Sequence, residues 1–266
     1  MLIIAERINA TRKRIRKAIL DRNADLIRQE TRNQLEAGAN YIDANAGIEA
    51  SREPEDLKWL VQTIQSEAEC LVALDSTNAD ALRAALPLVK GTPPMINSIT
   101  GENGRHEDVL PLVRDSGARV VALTIGPQGM PTSVDERIDA AAMIVDLMAG
   151  HDIGLDRVYF DPIIYSAATD GNAGRMALET VHRLRARFPE VHITCGLSNI
   201  SFGLPRRNIL NRTFLPMLLS AVLDSAIMDP TEPHMMTAVL AAEAILGRDE
   251  FCMNYITAER AGNLGD

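Results

Sequence analysis

Asp43, Asn45, Asp75, Asn97, Asp161, Ser198 and Asn199 share one kind of place in the sequence: each closes or follows an apolar run. The runs are Tyr41-Ile42, Leu71-Val72-Ala73-Leu74, Met95-Ile96, Val158-Tyr159-Phe160 and Ile193-Thr194-Cys195, the last ending at Gly196. A capping role explains an Asp or Asn after one strand, because such side chains bond the free N–H groups of the next helix. It gives no reason for so many strands to end alike. Two chemistries fit the set. Three Asp at strand ends suit a hard cation such as Mg²⁺ or Mn²⁺, as in a metal-dependent aldolase or isomerase. Asp mixed with Asn supplies acceptors and amides for a flat organic ring carrying several hydrogen-bonding groups. No histidine stands among these residues, which counts against zinc, and no metal ligand is assigned.

The elements that must position these side chains alternate. Strands are expected at Leu2–Ile4, Asn40–Ala44, Leu71–Asp75, Pro94–Asn97, Arg119–Leu123, Arg157–Phe160, Val191–Thr194 and Ser225–Met228. Helical patterns separate them, including Ala24–Glu36, stopped by Gly38, and Val134–Ala149, capped by Ser133. Others are read at Glu107–Asp115, stopped by Gly117, and near Pro216–Leu223. Strands that are apolar throughout belong to a parallel sheet covered by helices. A chain of 266 residues with this alternation suits a closed (β/α)₈ barrel better than an open sheet. In such a barrel the carboxyl ends of the strands surround one mouth, where the polar residues would converge.

Composition narrows the partners. Hydrophobic residues make up 46% and charged residues 24%, which suits a globular chain with a large core. The net charge of −9 and the 4% aromatic content argue against nucleic acid, which needs cations for phosphates and rings for bases. The start, Met1-Leu2-Ile3-Ile4-Ala5-Glu6-Arg7, becomes charged too early for a signal peptide, and no apolar run is long enough for a bilayer. Cys70, Cys195 and Cys252 lack metal-type spacing, so a reducing, cytoplasmic setting is expected. Cys195, inside an apolar strand, reads as buried and inert. Arg207, beside Arg206, suits an anionic substrate tail as well as it suits a solvated loop.

Five stretches carry a family resemblance: Met1 to Asn9, Leu74-Asp75-Ser76-Thr77-Asn78, Met95-Ile96-Asn97-Ser98, Phe160-Asp161-Pro162, and Gly196-Leu197-Ser198-Asn199-Ile200-Ser201 with Leu210-Asn211-Arg212-Thr213-Phe214 after it. In this order, over nearly the whole chain, they resemble the pterin-binding methyltransferase family, in particular methyltetrahydrofolate:corrinoid protein methyltransferases. The folate domain of cobalamin-dependent methionine synthase is also similar, and dihydropteroate synthase more distantly so. The resemblance implies a dihydropteroate-synthase-like (β/α)₈ TIM barrel, one pterin-binding domain over residues 1–266, usually paired as a homodimer. It implies transfer of a methyl group between N5 of tetrahydrofolate and the cobalt of a corrinoid, in either direction. No corrinoid-binding segment is found, so a separate corrinoid protein is the expected partner.

By the same resemblance Asp75, Asn97 and Asp161 bind the pterin ring and Asn199 faces N5. Asp43, Asn45, Gly196, Ser198 and Arg207 complete the candidate substrate-binding set. Asp43 and Asn45 match less closely, since Ala44 stands where the family pattern has leucine. Two alternatives stand beside this reading. Dihydropteroate synthase activity must hold a pyrophosphate leaving group, and the Lys and terminal Ser-x-Arg signature for it is not found. A non-catalytic folate-binding protein would keep Asp75, Asn97 and Asp161 without needing Asn199 or a corrinoid.

Overall fold

A computed structural model describes residues 1–265 other than Thr92, Asn103 and Arg105. The first elements are β1 (Leu2–Ala5), α1 (Lys13–Leu20), α2 (Ala24–Glu36), β2 (Tyr41–Ala44), α3 (Glu53–Glu67) and β3 (Leu71–Asp75). Then come α4 (Ala79–Ala85), β4 (Met95–Thr100), α5 (Leu110–Ser116), β5 (Arg119–Leu123), α6 (Val134–Gly150) and β6 (Val158–Asp161). The last are α7 (Ala173–Arg187), β7 (His192–Ile193), α8 (Arg207–Ser220), β8 (Ser225–Met228), α9 (Met235–Ile245) and α10 (Met253–Arg260). The eight strands are parallel and lie in the order β7-β6-β5-β4-β3-β2-β1-β8. The two ends of that row meet. Gly196 bridges Ile227, whose N–H donates to the Cys195 carbonyl at 2.8 Å, so the sheet closes into the expected barrel.

Alternation along each strand explains both the core and the mouth. Side chains point in and out by turns. Ile3, Ile42, Val72, Leu74, Ile96, Val120 and Phe160 face outward into the large apolar layer beneath the helices. Ile4, Tyr41, Ala73, Met95, Val121 and Tyr159 form a separate buried cluster that fills the lumen. Two residues further along each chain segment stand Glu6, Asp43, Asp75, Asn97, Leu123 and Asp161. The lumen therefore changes from apolar to largely polar within one repeat of the pleat, and the polar layer lies at the carboxyl ends.

The helices hold this ring by their inward stripes, and several boundaries follow local chemistry. Asn23, Asn78 and Ser133 accept N–H bonds at the starts of α2, α4 and α6. Gly38 and Gly117 take φ of +96° and +70° after α2 and α5, a region costly for residues with a Cβ. Some expectations shift. The helix expected from Glu107 begins at Leu110, because Pro111 belongs in a first turn and not in a helix interior. The strand expected at Val191–Thr194 is paired only at His192–Ile193. The helix expected near Pro216 is the second half of α8, which starts at Arg207, just after the opening signal of Pro205, and has Pro216 inside it. Buried Phe214, Leu215, Leu218 and Leu219 hold α8 in place despite the missing N–H of Pro216. The carboxy-terminal α10 has no counterpart in the sequence reading.

Candidate active site

A cavity of about 660 Å³ opens at the carboxyl ends of the strands. Its wall includes Glu6, Asn9, Asp43, Asp75, Asn97, Gly196, Ser198, Asn199, Arg207 and Asp229. One side is built by β2, β3 and β4. Asn97 donates from Nδ2 to Asp43 Oδ1 at 3.2 Å. Asn45 donates to Asp75 twice, to Oδ2 at 3.0 Å and to the carbonyl at 3.2 Å, and Asn9 reaches Asp75 Oδ2 at 3.4 Å. Burial pushes the Asp43 carboxyl well above its ordinary range, and Asp75 and Glu6 push it further. Burial also raises Asp75 to about 6, opposed by the bonds from Asn45 and Asp43. The two carboxyl groups share a hydrogen bond. Both carboxyls are thereby shifted toward the protonated form, and both line the cavity.

Asp161 sits at the end of β6, only 6% exposed, beneath the loop that follows β7. Its Oδ1 accepts the Ile163 N–H at 2.8 Å and its Oδ2 accepts the Gly196 N–H at 3.2 Å. Burial raises it to about 6, against the lowering effect of those two bonds and of Arg137. Arg137 on α6 is itself 1% exposed and donates to the carbonyls of Ser133, Pro162 and Ile163 at 2.8, 2.7 and 3.2 Å. Ile163 has φ of +55°, so the turn that presents its N–H to Asp161 is held in an unfavourable backbone region by these contacts.

The opposite wall is the turn Leu197–Ser201. Gly196 leaves room beneath it, because a Cβ at this position would come to 3.0 Å from Asn199 Nδ2. The exposed Asn199 side chain lies back over the strand end and lines the cavity. Ser198 donates to Glu6 Oε1 at 2.7 Å, while its carbonyl accepts from Arg207 Nη2 at 2.6 Å. Arg207 also donates to Ser201 Oγ at 3.0 Å and lies over the Phe202 ring, so it braces the turn as well as facing the cavity.

The candidate residues therefore meet in one place. Asp43, Asp75, Asn97, Gly196, Ser198, Asn199 and Arg207 line the cavity, with Asn45 bonded to Asp75 and Asp161 bonded to Gly196. Glu6, Asn9, Arg12 and Asp229 also line it, and the sequence reading does not assign them. A signal for one of them exists: Glu6 follows Ile4 by two, as Asp43 follows Tyr41. Cys195 is fully buried and its thiol is pushed well above the ordinary value, chiefly by burial. Among the described residues, no group of three or more His, Cys, Asp or Glu is placed to hold a metal ion.

Known proteins share both sequence and fold with this chain. Residues 5–246 match the family described as pterin binding enzyme. The methylcorrinoid:tetrahydrofolate methyltransferase of Eubacterium limosum is 36% identical over 267 residues, covering 100% of this chain and 98% of that protein. The methionine synthase of Mycobacterium leprae is 30% identical across 85% of this chain but only 20% of its own length. Among solved structures, the 7,8-dihydropteroate synthase of Vibrio fischeri ES114 superposes with a TM-score of 0.71 at 12% identity, over 92% of this chain and 93% of that one. The dihydropteroate synthase of Yersinia pestis gives 0.69 at 14% identity, over 93% and 92%. At such identities the structural likeness concerns the barrel alone.

Proposed function

Because the chain belongs to the pterin binding enzyme family, we propose that it moves a methyl group between N5 of tetrahydrofolate and the cobalt of a corrinoid. The observation that carries this reading is the full-length similarity to a methylcorrinoid:tetrahydrofolate methyltransferase, on a chain whose barrel mouth is walled by Asp, Asn and Ser. A reduced pterin presents N–H groups and an exocyclic amine on one edge, beside a carbonyl and a ring nitrogen. Asp75 and Asp161 accept from the former, and the Asn97 amide serves the latter. Asn45 and Asn9 keep the Asp75 carboxylate turned to the ring. Asp161 reaches it with the lone pairs that its two backbone partners leave over. Ser198, Gly196 and Arg207 shape the side on which Asn199 meets N5.

Methyl transfer is an in-line displacement at carbon, with the corrinoid as the second substrate. N5 is a poor leaving group unless the charge developing on it is relieved. The Asn199 amide supplies a donor at that nitrogen, worth roughly 3 kcal/mol when preorganised in a partly dry site. Residues 1–266 act as one pterin-binding barrel domain, cytoplasmic, with the corrinoid delivered on a separate protein. Among the described residues no helix is long and apolar enough to cross a membrane. The chain pairs with a second copy through the apolar residues left outside the barrel. Met217 on α8 is 47% exposed, while Ile245, which ends α9, and Phe251 beyond it are 85% and 84% exposed.

The test is spectroscopic. Purified protein with methylcobalamin and tetrahydrofolate, and separately with cob(I)alamin and methyltetrahydrofolate, should change the cobalamin absorption as the methyl group moves. Folate binding by calorimetry with no transfer from either pair would leave a folate-binding protein. Release of pyrophosphate on condensation with p-aminobenzoate would point to dihydropteroate synthase.

A further inference from the structure

Displacement at N5 needs a proton that Asn199 cannot provide, since an amide donates a hydrogen bond and does not ionise. Several carboxyl groups line the cavity, and their partners separate them. Asp229 is bound to Arg7 at 3.0 Å, lies 3.7 Å from Arg12, and accepts from the N–H and hydroxyl of Thr231. Its oxygens are already taken by cations and donors. Asp75 accepts from Asn45 and Asn9, and Asp43 accepts from Asn97, all on the β2–β4 side of the mouth. Asp161 lies behind the cavity lining, 6% exposed, with one oxygen bonded to the Ile163 N–H and the other to the Gly196 N–H.

Glu6 differs. It follows β1 in the polar layer of the lumen, its side chain is 19% exposed, and its Oε1 accepts from the hydroxyl of Ser198 at 2.7 Å. Ser198 immediately precedes Asn199. Glu6 is therefore the cavity carboxyl tied directly to the wall that carries the Asn199 amide.

Resting on the methyl-transfer reading above, we propose that Glu6 exchanges the proton with N5 of the pterin and that Ser198 positions its carboxyl for that exchange. When the methyl group leaves folate, the C–N5 bond breaks and its electron pair stays on N5. Cob(I)alamin supplies the pair for the new Co–C bond, becoming methylcob(III)alamin, and N5 takes the proton from Glu6. In the other direction the N5–H proton passes to the Glu6 carboxylate as the N5 lone pair bonds the methyl group. The pair of the broken Co–C bond remains on cobalt. The groups facing Glu6 suit both states. Arg12 lies 3.9 Å away and, with Arg207 and Ser198, favours the carboxylate, while Asp229 disfavours it. Asp43 and Cys195 also interact with it across the lumen. Burial outweighs the cations, so the carboxyl sits above its ordinary value. That moves it toward the range where a group both gives and accepts protons near neutrality.

The experiment compares wild type with Glu6→Gln, Glu6→Asp and Ser198→Ala. Methyl transfer is followed in single turnover across about pH 5 to 9, with free cobalamin as the corrinoid and tetrahydrofolate affinity measured alongside. Glu6→Gln should slow transfer by about 100-fold or more, lose the pH limb contributed by the carboxyl, and hold folate affinity within about threefold. Glu6→Asp should retain a titrating limb at a reduced rate, and Ser198→Ala should shift that limb. If Glu6→Gln fails to fold, the limb in Glu6→Asp and Ser198→Ala decides, and an unshifted wild-type profile in both overturns the proposal. A Glu6→Gln variant as fast as wild type also overturns it. Equal losses of rate and affinity make Glu6 a binding group, which overturns it too. A wild-type chain that binds folate but moves no methyl group in either direction overturns the function itself, and this inference with it.

Discussion

Replacing Asp161 by Asn keeps the shape of the side chain while removing its charge and one acceptor. Two opposing consequences follow from its surroundings. The amide oxygen can satisfy one of the two N–H groups that the carboxylate now serves, at Ile163 or Gly196. The other faces an –NH₂ group, which costs about 1–3 kcal/mol in a buried site. Against this, burial raises Asp161 from an ordinary 3.8 to about 6, so its charged form is disfavoured in the folded protein. A raised folded-state pKa gives a stability contribution that is fully present below the unfolded value and is lost as pH rises through the folded one. For Asp161 that window runs from 3.8 to about 6. The full loss is about 3 kcal/mol at 1.36 kcal/mol per unit, and roughly 2 kcal/mol of it falls between about pH 4.5 and 7.5. The amide of the Asp161→Asn variant does not titrate. Urea unfolding of both proteins should therefore show Asp161→Asn gaining roughly 2 kcal/mol relative to wild type across that interval, whatever its fixed penalty. Stability curves that stay parallel, or diverge in the opposite sense, would refute the assignment of a buried, raised carboxyl. At about pH 7.5 the same variant should bind tetrahydrofolate more weakly by over ~1 kcal/mol, because a charged acceptor is lost.

Asn199→Ala should lower kcat well beyond its effect on folate affinity, as expected for a donor whose bond tightens only in the transition state; equal losses in single-turnover rate and calorimetric affinity would make Asn199 a binding residue. Asn45→Ala removes the bonds that hold Asp75 down, so its pKa should rise above about 6 and folate affinity near neutral pH should fall, an effect that lower pH does not restore. Light scattering at micromolar concentration should give a dimer, and Ile245→Glu combined with Phe251→Glu should yield a folded monomer.

The barrel and most of its mouth are legible because both obey a short period. A strand buried on both faces reads as an unbroken apolar run, and the first Asp or Asn after it marks where the lumen turns polar. That signal finds Asp43, Asp75, Asn97 and Asp161. It misses Glu6 because the first run ends at Ile4, and Glu6 beside Arg7 then looks like a solvated pair. Counting two from Ile4 places it in the same layer. Arg137 has no local signal at all. Its partners are carbonyls around Pro162 and Ile163, and backbone acceptors leave no trace in residue types. The double use of Asp161 by backbone N–H groups is hidden for the same reason. Pro205 signals the opening of α8 and Pro216 reads as a second opening, but tertiary burial carries one helix through Pro216.

The closure between β7 and β8 is the thinnest course in the wall. β7 contributes only His192 and Ile193 to the ladder, and the ring is completed by the Gly196–Ile227 bridge, by backbone bonds from Ile227 to Cys195 at 2.8 Å and from Asp224 to Ile193 at 3.4 Å, and by side-chain bonds that join Ile193 to Asp224 Oδ1 at 2.9 Å and to the Ser225 hydroxyl at 3.1 Å. Few rungs mean a low free energy of local opening, so this joint should part well before the barrel unfolds. The turn bearing Asn199 hangs directly from it. A pterin gripped by Asp75 and Asn97 on one side and by Asn199 on the other would span the mouth like a strut and keep the joint shut. Its arrival would then be felt as slowed amide exchange at Gly196, Asn199 and Ile227, more than at the β2–β4 side with its longer ladders. In this barrel the substrate would serve as the last stave.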